Sequence, residues 1–290
     1  MTGPLSGSDI AAELLRASES GPPVVSCTVI TAPAALAARP GDKLLVRAGG
    51  AVVGSLGGGA LETAIVAAAR AVGGRREALT LAFAPDGRRL SGRRALAEAG
   101  EVVEILLEVV APPSVLLIVG GGHVGRALGE MGALLGMSVA VIDDREEYAS
   151  VDRFPFADRV ICGDIAAEVA RFPVDANTYA VMVSRGHKQD EASLRRVVGR
   201  GAAYVGMIGS KRRTRTVLEH LRREGFDGEA VASVFTPIGL DIGAETPEEI
   251  ALAILSEIVL VRRGGSALPL SEHGRTRTRL PDGDAPPAGR

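Results

Sequence analysis

The 290-residue sequence has no tryptophan, two cysteines, four histidines and an aromatic content of 3%. So few aromatic faces leave little on which single-stranded bases could stack. Cys27 and Cys162 lie far apart in sequence and cannot build a disulfide framework, so they read as reduced thiols of a cytoplasmic protein. Scattered histidines and two distant cysteines give no zinc-ligand spacing, so no metal ligands are assigned. Long apolar runs are also missing. No window holds the ~18 uninterrupted apolar residues of a spanning helix, and MTGPLSGSDIAAELL has no basic flank leading into an apolar stretch, as a signal peptide would. A membrane is therefore not an expected partner. Charge of one sign is lacking too: 33 basic against 35 acidic residues leave a net charge of −2, which argues against a general nucleic-acid surface. The expected partner is a small molecule or another protein.

What is present is a 46% hydrophobic fraction and enough chain for two domains. The sequence predicts an N-terminal α+β domain over 1–111, a Rossmann-like parallel-sheet domain over 112–264 and a disordered tail over 265–290. The whole is an α/β protein. In the first domain, Ile10 to Ala17 is a short helical run with Ser8 as its N-cap. Strands are expected at 22–31, 43–47, 77–84 and 101–110, a helix at 60–72, and a charged, glycine-containing loop between the last two strands. Ala111-Pro112-Pro113-Ser114 stops any regular element and marks the boundary. Beyond it, near-continuous apolar strands at 115–120, 138–143, 158–163, 178–184 and 202–209 alternate with helices at 123–135, 190–199 and 211–224. That pattern indicates a parallel sheet covered on both faces. A final helix opens at Thr246-Pro247-Glu248-Glu249 with Thr at N-cap, Pro at the first position and Glu three residues after the cap. It closes on Arg262 and Arg263, which suit its C-terminal dipole.

Five stretches could carry chemistry. In LLIVGGGHVGRAL, Gly120, Gly122 and Gly125 satisfy G-x-G-x-x-G between a strand and a helix, where backbone N–H groups can approach an anion. Asp143 follows at the end of the next strand, placed to accept a ribose hydroxyl. The alternative is that the glycines merely let strand and helix pack closely. GSLGGGALE, 54–62, leads three glycines into a helix carrying Glu62. It is either a second anion cradle or a mobile turn, and residue physics favours the turn. In YVGMIGSKRRTRTVLEHLRREG, 204–225, Ser210 caps a helix whose start is crowded by Lys211, Arg212, Arg213 and Arg215. This opposes the helix dipole at roughly 0.3–1 kcal/mol per charge and suggests a bound phosphate or an acidic partner; a solvated face is the plain alternative. VSRGHKQDEASL, 183–194, leaves a strand's carboxyl end with His187 as a possible acid, base or donor, or simply a loop histidine. In PIGLDIGAETPEEIALAILSEI, 237–258, two glycines bracket Asp241 and could bring it or Glu245 to a ligand, or form an Asx turn. No G-x-S-x-G nucleophile elbow occurs, and no catalytic residue is assigned.

In that order, GSLGGGALE, IVGGGHVGRAL with VIDDR, VSRGH, YVGMIGSKRR and PIGLDIGAETPEEIALAILSEI resemble the XdhC/CoxI family from about residue 20 to 263. These are accessory factors for xanthine dehydrogenase and related molybdenum hydroxylases. The resemblance implies a non-catalytic chaperone rather than an oxidoreductase, one that holds the molybdenum cofactor, as molybdopterin or its dinucleotide form, and it leaves the question of enzyme activity open. A cysteine desulfurase exchanges an oxo ligand for sulfur, and the chaperone passes the cofactor to the apo molybdenum hydroxylase. A homodimer is implied as well. Carried over residue by residue, the cofactor-binding positions are Gly57, Gly58, Gly59 and Glu62; Gly120, Gly121, Gly122, His123, Val124, Gly125, Asp143, Asp144 and Arg145; Arg185 and His187, with Gly186 between them; and Gly209, Ser210 and Lys211. Many members have Cys where this chain has Ala60, which excludes a thiol-dependent role at that position. Residues 84–100 match the family pattern poorly. The competing readings are an NAD(P)-dependent oxidoreductase, against which the lack of an acid–base pair beside His187 counts, and a nucleotide-binding regulatory module.

Overall fold

The computed structural model describes residues 7–19, 21–72, 78–98 and 100–272. Two sheets divide the chain. The first is antiparallel and six-stranded, in the order β3-β2-β1-β6-β4-β5. Its strands are β1 (Val24–Thr31), β2 (Lys43–Arg47), β3 (Val52–Gly54), β4 (Leu79–Phe83), β5 (Arg89–Leu90) and β6 (Val103–Val110). Helices α1 (Gly7–Glu19), α2 (Gly59–Val72) and α3 (Gly92–Glu98) accompany it. Leu61, Ile65, Ala69 and Val72 recur at helical spacing along α2 and bury against Cys27, Leu44, Val46, Phe83, Ile105 and Leu107 of the sheet. Three local expectations are corrected here. Ser8 lies inside α1, not ahead of it, because Gly7 is already helical. The charged loop holds a short strand and helix, β5 and α3. The GSLGGG segment begins at the end of an additional strand, β3, whose last residue is Gly54.

The second sheet is parallel and five-stranded, in the order β11-β10-β7-β8-β9. It comprises β7 (Val115–Val119), β8 (Ser138–Asp143), β9 (Arg159–Cys162), β10 (Thr178–Met182) and β11 (Tyr204–Met207). The helices are α4 (His123–Leu134), α5 (Ile165–Arg171), α6 (His187–Val197), α7 (Lys211–Arg223), α8 (Gly228–Ala232) and α9 (Pro247–Arg263). Every residue of β10 is buried, as a strand sandwiched between helical layers requires. Alternate residues of β7 face opposite ways: Leu116 and Ile118 pack under α4 and α9 with Leu128, Ile254 and Ile258, whereas Leu117 and Val119 pack toward α5, α6 and α7 with Val169, Leu194 and Leu221.

The last helix has a complete capping box. Thr246 accepts the Glu249 N–H, and the Glu249 carboxylate returns to the Thr246 N–H. Behind it, Glu257 accepts from the Tyr204 hydroxyl at 2.5 Å and from Gly239 N at 3.0 Å, pinning the 237–245 loop to the sheet. Between the two sheets, Asn177 donates to the carbonyls of Pro112 (3.3 Å) and Pro113 (2.8 Å) and accepts from the Ser114 hydroxyl (3.3 Å). Residues 270–272 of the predicted tail form a short 3-10 turn, and 273–290 lie outside the described residues. Among the described residues, no helix is long and apolar enough to cross a membrane.

Candidate functional site

The chain adds β8 and β9 on one side of β7, then returns to add β10 and β11 on the other. The order therefore reverses between β7 and β10, and ligands of open α/β sheets bind in the crevice outside the strand ends at such a point. The two exits touch: a Cβ on Gly120, whose φ is +114°, would fall 2.7 Å from the Ser184 backbone. The glycines here have different tasks. A side chain on Gly121 would meet the Tyr148 carbonyl at 1.9 Å, and one on Gly125 the Gly120 carbonyl at 2.0 Å, so both serve packing. Gly122 has ordinary φ −65° and nothing within 4 Å of a built Cβ. Its missing side chain serves no internal contact and leaves the backbone open to whatever enters.

Three helices start at this edge without a side-chain cap. Gly122, Gly186 and Ser210 stand at the N-cap positions of α4, α6 and α7, and none accepts a capping hydrogen bond, Ser210 included despite its hydroxyl. Elsewhere the same domain caps its helices fully: Asp164 on α5, Asp227 on α8 and Thr246 on α9. Uncapped first-turn N–H groups carry the positive end of each helix dipole toward the crevice.

Asp143 is 1% exposed and takes no part in the open surface. Its carboxylate accepts from Gly121 N at 2.8 Å and from Arg145 through N (3.1 Å), Nε (2.9 Å) and Nη2 (3.0 Å). Four donors fill the acceptor sites of a carboxylate. Burial alone would raise its pKa; the bonds from Arg145 and Gly121 outweigh it and hold the carboxyl below its ordinary value. The ribose-acceptor expectation thus meets a group already saturated by its own loop. Asp144, in contrast, is exposed and accepts from Gln189 Nε2 at 2.7 Å, which ties the β8 exit to α6.

Arg145 lies 3.5 Å above the Tyr148 ring, with Arg153 and Arg185 at 4.9 and 5.8 Å from the same centroid. Arg153 also donates to the Gly121 carbonyl at 2.9 Å. Among the cofactor positions expected from sequence, the structure brings together Gly120, Gly121, Gly122, Asp143, Asp144, Arg145 and Arg185. His123 is exposed at the start of α4, while Val124 is half-buried against the apolar layer beneath. The His187 backbone opens α6; its side chain lies outside the described part. Gly209, Ser210 and Lys211 lead from β11 into α7 at the same edge. Asp241 and Glu245 are exposed on the loop before α9.

Tyr148, Arg153 and Asp190 were not singled out from sequence. Asp190 is 2% exposed, accepts the Ser184 N–H at 3.0 Å, and is pushed up to about 6 by burial. Its place in the first turn of a helix leaving the switch point was the available signal. Tyr148 had none beyond its nearness to VIDDR.

The other glycine loop behaves differently. Gly57, Gly58 and Gly59 all have positive φ, and the N–H groups of Leu56 and Gly58 point to the Glu62 carboxylate at 2.6 and 3.0 Å, with the Ser55 hydroxyl at 2.7 Å. Burial raises the Glu62 carboxyl, but these bonds outweigh it and leave it below its ordinary value. This cradle holds an anion belonging to the chain. No hydrogen bond or ion pair among the described residues links it to the crevice. The thiol of Cys27, buried in β1, is pushed up to about 12, and Cys162 is exposed at the end of β9.

Comparison with known proteins converges on both sheets. Residues 116–258 match the family described as the XdhC Rossmann domain, and residues 17–84 match the XdhC and CoxI family. The uncharacterized protein YqeB of Escherichia coli strain K12 is 29% identical over 232 residues, 77% of this chain and 41% of that protein. A probable xanthine dehydrogenase subunit of Bacillus subtilis strain 168 is 30% identical over 167 residues, 56% of this chain and 47% of its own length. The chain thus spans less than half the length of these curated relatives. A crystal structure of a xanthine dehydrogenase from Bacillus halodurans shares the fold, with a TM-score of 0.50 at 19% identity over 92% of this chain and 99% of that one.

Proposed function

Because the chain belongs to the XdhC and CoxI family, we propose that it is a maturation factor for a xanthine dehydrogenase-type molybdenum hydroxylase, one that holds the molybdenum cofactor in the crevice between β7 and β10. The single observation that carries this reading is the open approach at Gly122, flanked by helix starts that no side chain caps. Molybdopterin carries a phosphate and a pterin with donors and acceptors, and its dinucleotide form carries a pyrophosphate. Either group suits backbone N–H donors at helix N-termini. When bound, the cofactor supplies the molybdenum centre that a cysteine desulfurase sulfurates and the apo-enzyme finally receives.

The roles of the chain's own residues follow from their positions. Gly121 and Asp143 fix the loop backbone, and Arg145 locks Asp143 in place. Gly122 admits the phosphate, and the first turns of α4, α6 and α7 donate to it. Arg185 and Lys211, both exposed at the rim, add positive charge where that anion enters. Saturation of Asp143 speaks against the oxidoreductase alternative, whose ribose needs a free acceptor at the end of the second strand. The assembly is completed in this reading by a second copy of the chain, with the desulfurase and the apo-hydroxylase as successive partners.

The test is to purify the chain from cells with and without an intact molybdopterin pathway. The bound molecule is then identified by oxidation to its fluorescent pterin and by mass spectrometry. The expected result is pterin in the first preparation and none in the second. Stoichiometric NAD without pterin would overturn the reading.

A further inference from the structure

Helix α7 carries six of the chain's Lys and Arg residues against one Glu, a net charge of +5 in 13 residues. The whole chain has a net charge of −2, which leaves −7 for the remainder. All six cations, Lys211, Arg212, Arg213, Arg215, Arg222 and Arg223, are exposed, while Thr214, Val217 and Leu221 on the opposite side are buried.

Nearby carboxylates are already engaged. Glu219 pairs with Arg215 at 3.2 Å, Glu191 with Arg195 and His220 at 2.6 and 3.1 Å, and Glu224 with Arg195 at 2.6 Å. Among the described residues, no carboxylate lies within ion-pair distance of Lys211, Arg212, Arg213, Arg222 or Arg223. Lys211, Arg215 and Arg222 line one flank of the helix in a groove walled by Thr236 and Pro237, and Arg212 and Arg213 line the other. The helix starts at the crevice edge and runs ~20 Å away from it. It is therefore a basic track with one end at the candidate cofactor site.

We propose that the outward face of α7 docks an acidic surface of the protein that receives the cofactor, so that the crevice lies against the recipient. This rests on the maturation reading above. The other anionic surfaces fit less well. A lipid surface is bound by a helix whose apolar face is free to insert, and that of α7 is spent in the core. Single-stranded nucleic acid asks for aromatic platforms beside the cations, and this helix has none. An acidic protein surface needs only complementary charge, which steers encounter and sets orientation.

The test uses the full chain and apo-xanthine dehydrogenase produced in cells unable to make molybdopterin. Binding is measured across about 50 to about 300 mM salt, a range over which the screening length shortens substantially. Two triple variants, R215E/R222E/R223E and R215A/R222A/R223A, leave the crevice residues untouched, and circular dichroism checks their fold. Salt-sensitive binding is expected for wild type, roughly tenfold or more weaker binding for the charge reversal, a smaller loss for the alanine variant, and unchanged pterin content in both. Wild-type affinity in the folded variants, or binding indifferent to salt, overturns the proposal. So does charge-dependent retention on anionic phospholipid vesicles or RNA with no hydroxylase bound. Pterin retention without hydroxylase binding would sink the docking surface and spare the cofactor site. Hydroxylase binding that the reversal abolishes, from a chain without pterin, would do the opposite.

Discussion

Two glycine-rich turns lead from strand to helix in this molecule, and they have opposite fates. At 54–59 the turn closes on Glu62, whose carboxylate takes the backbone donors that an outside anion would otherwise use. At 120–125 the nearest acid, Asp143, sits below the turn and clamps it from beneath through Gly121, leaving the top open at Gly122. The same local signature is thus a self-satisfied loop in one domain and an open one in the other. The deciding feature is where the neighbouring carboxylate points.

The comparison can be broken most forcefully at Gly121. A methyl group there would meet the Tyr148 carbonyl at 1.9 Å, so Gly121→Ala is expected to cost roughly 3 kcal/mol or more, read as a lower urea midpoint. Glu62→Ala comes next. It strands the N–H of buried Leu56, while the exposed Gly58 N–H turns to water, and is expected to cost about 1–3 kcal/mol, with no change in pterin content if the first turn is self-satisfied. Glu62→Gln adds a pH readout. The folded pKa of Glu62 is lowered, so its stabilisation is present above the unfolded value and is lost as pH falls through the folded one. The variant should flatten that part of the acid limb.

Asp190, the buried acid beside the β10 exit of the crevice, has the reverse sign. Its folded value of about 6 lies above the ordinary 3.8, so the folded state keeps a proton that the unfolded chain has released. Stability should therefore fall as pH rises from about 4 to about 6, and Asp190→Asn should remove that slope. Identical pH profiles for wild type and variant would refute the assignment. The smallest stability effect is expected at Gly122, where an added Cβ has nothing within 4 Å and Gly122→Val should cost about 1 kcal/mol as a poorer N-cap, yet strip the purified protein of pterin. A variant that keeps its pterin would show that the two turns do not differ in this way.

Much of the frame was legible in the sequence because its signals are local. β2 and β8 fall where their apolar runs predicted, at 43–47 and 138–143, and the capping box at Thr246 forms as its spacing requires. What local pattern could not supply was the partner of each polar group. Asp143 stands at the expected strand end, but only the fold shows that Arg145, two residues on, fills its acceptor sites. Ser210 holds the N-cap position without making the bond that normally justifies it. Glu62 reads as a first-turn acid, and whether it binds its own loop depends on how the glycines of the turn fold back over it. Short elements such as β3, β5 and α3 escaped because two to seven residues give no period to detect.

The Asn177 side chain has a mechanical consequence. By grasping the carbonyls of Pro112 and Pro113 and the hydroxyl of Ser114, it fastens the connecting strap to the parallel sheet along three consecutive residues. Asn177 also accepts the Val115 N–H through its own carbonyl at 2.9 Å, so one residue holds the strap and the first residue of β7 together. The strap is thereby anchored at the amino-terminal ends of β7 and β10, the two strands whose far ends frame the crevice.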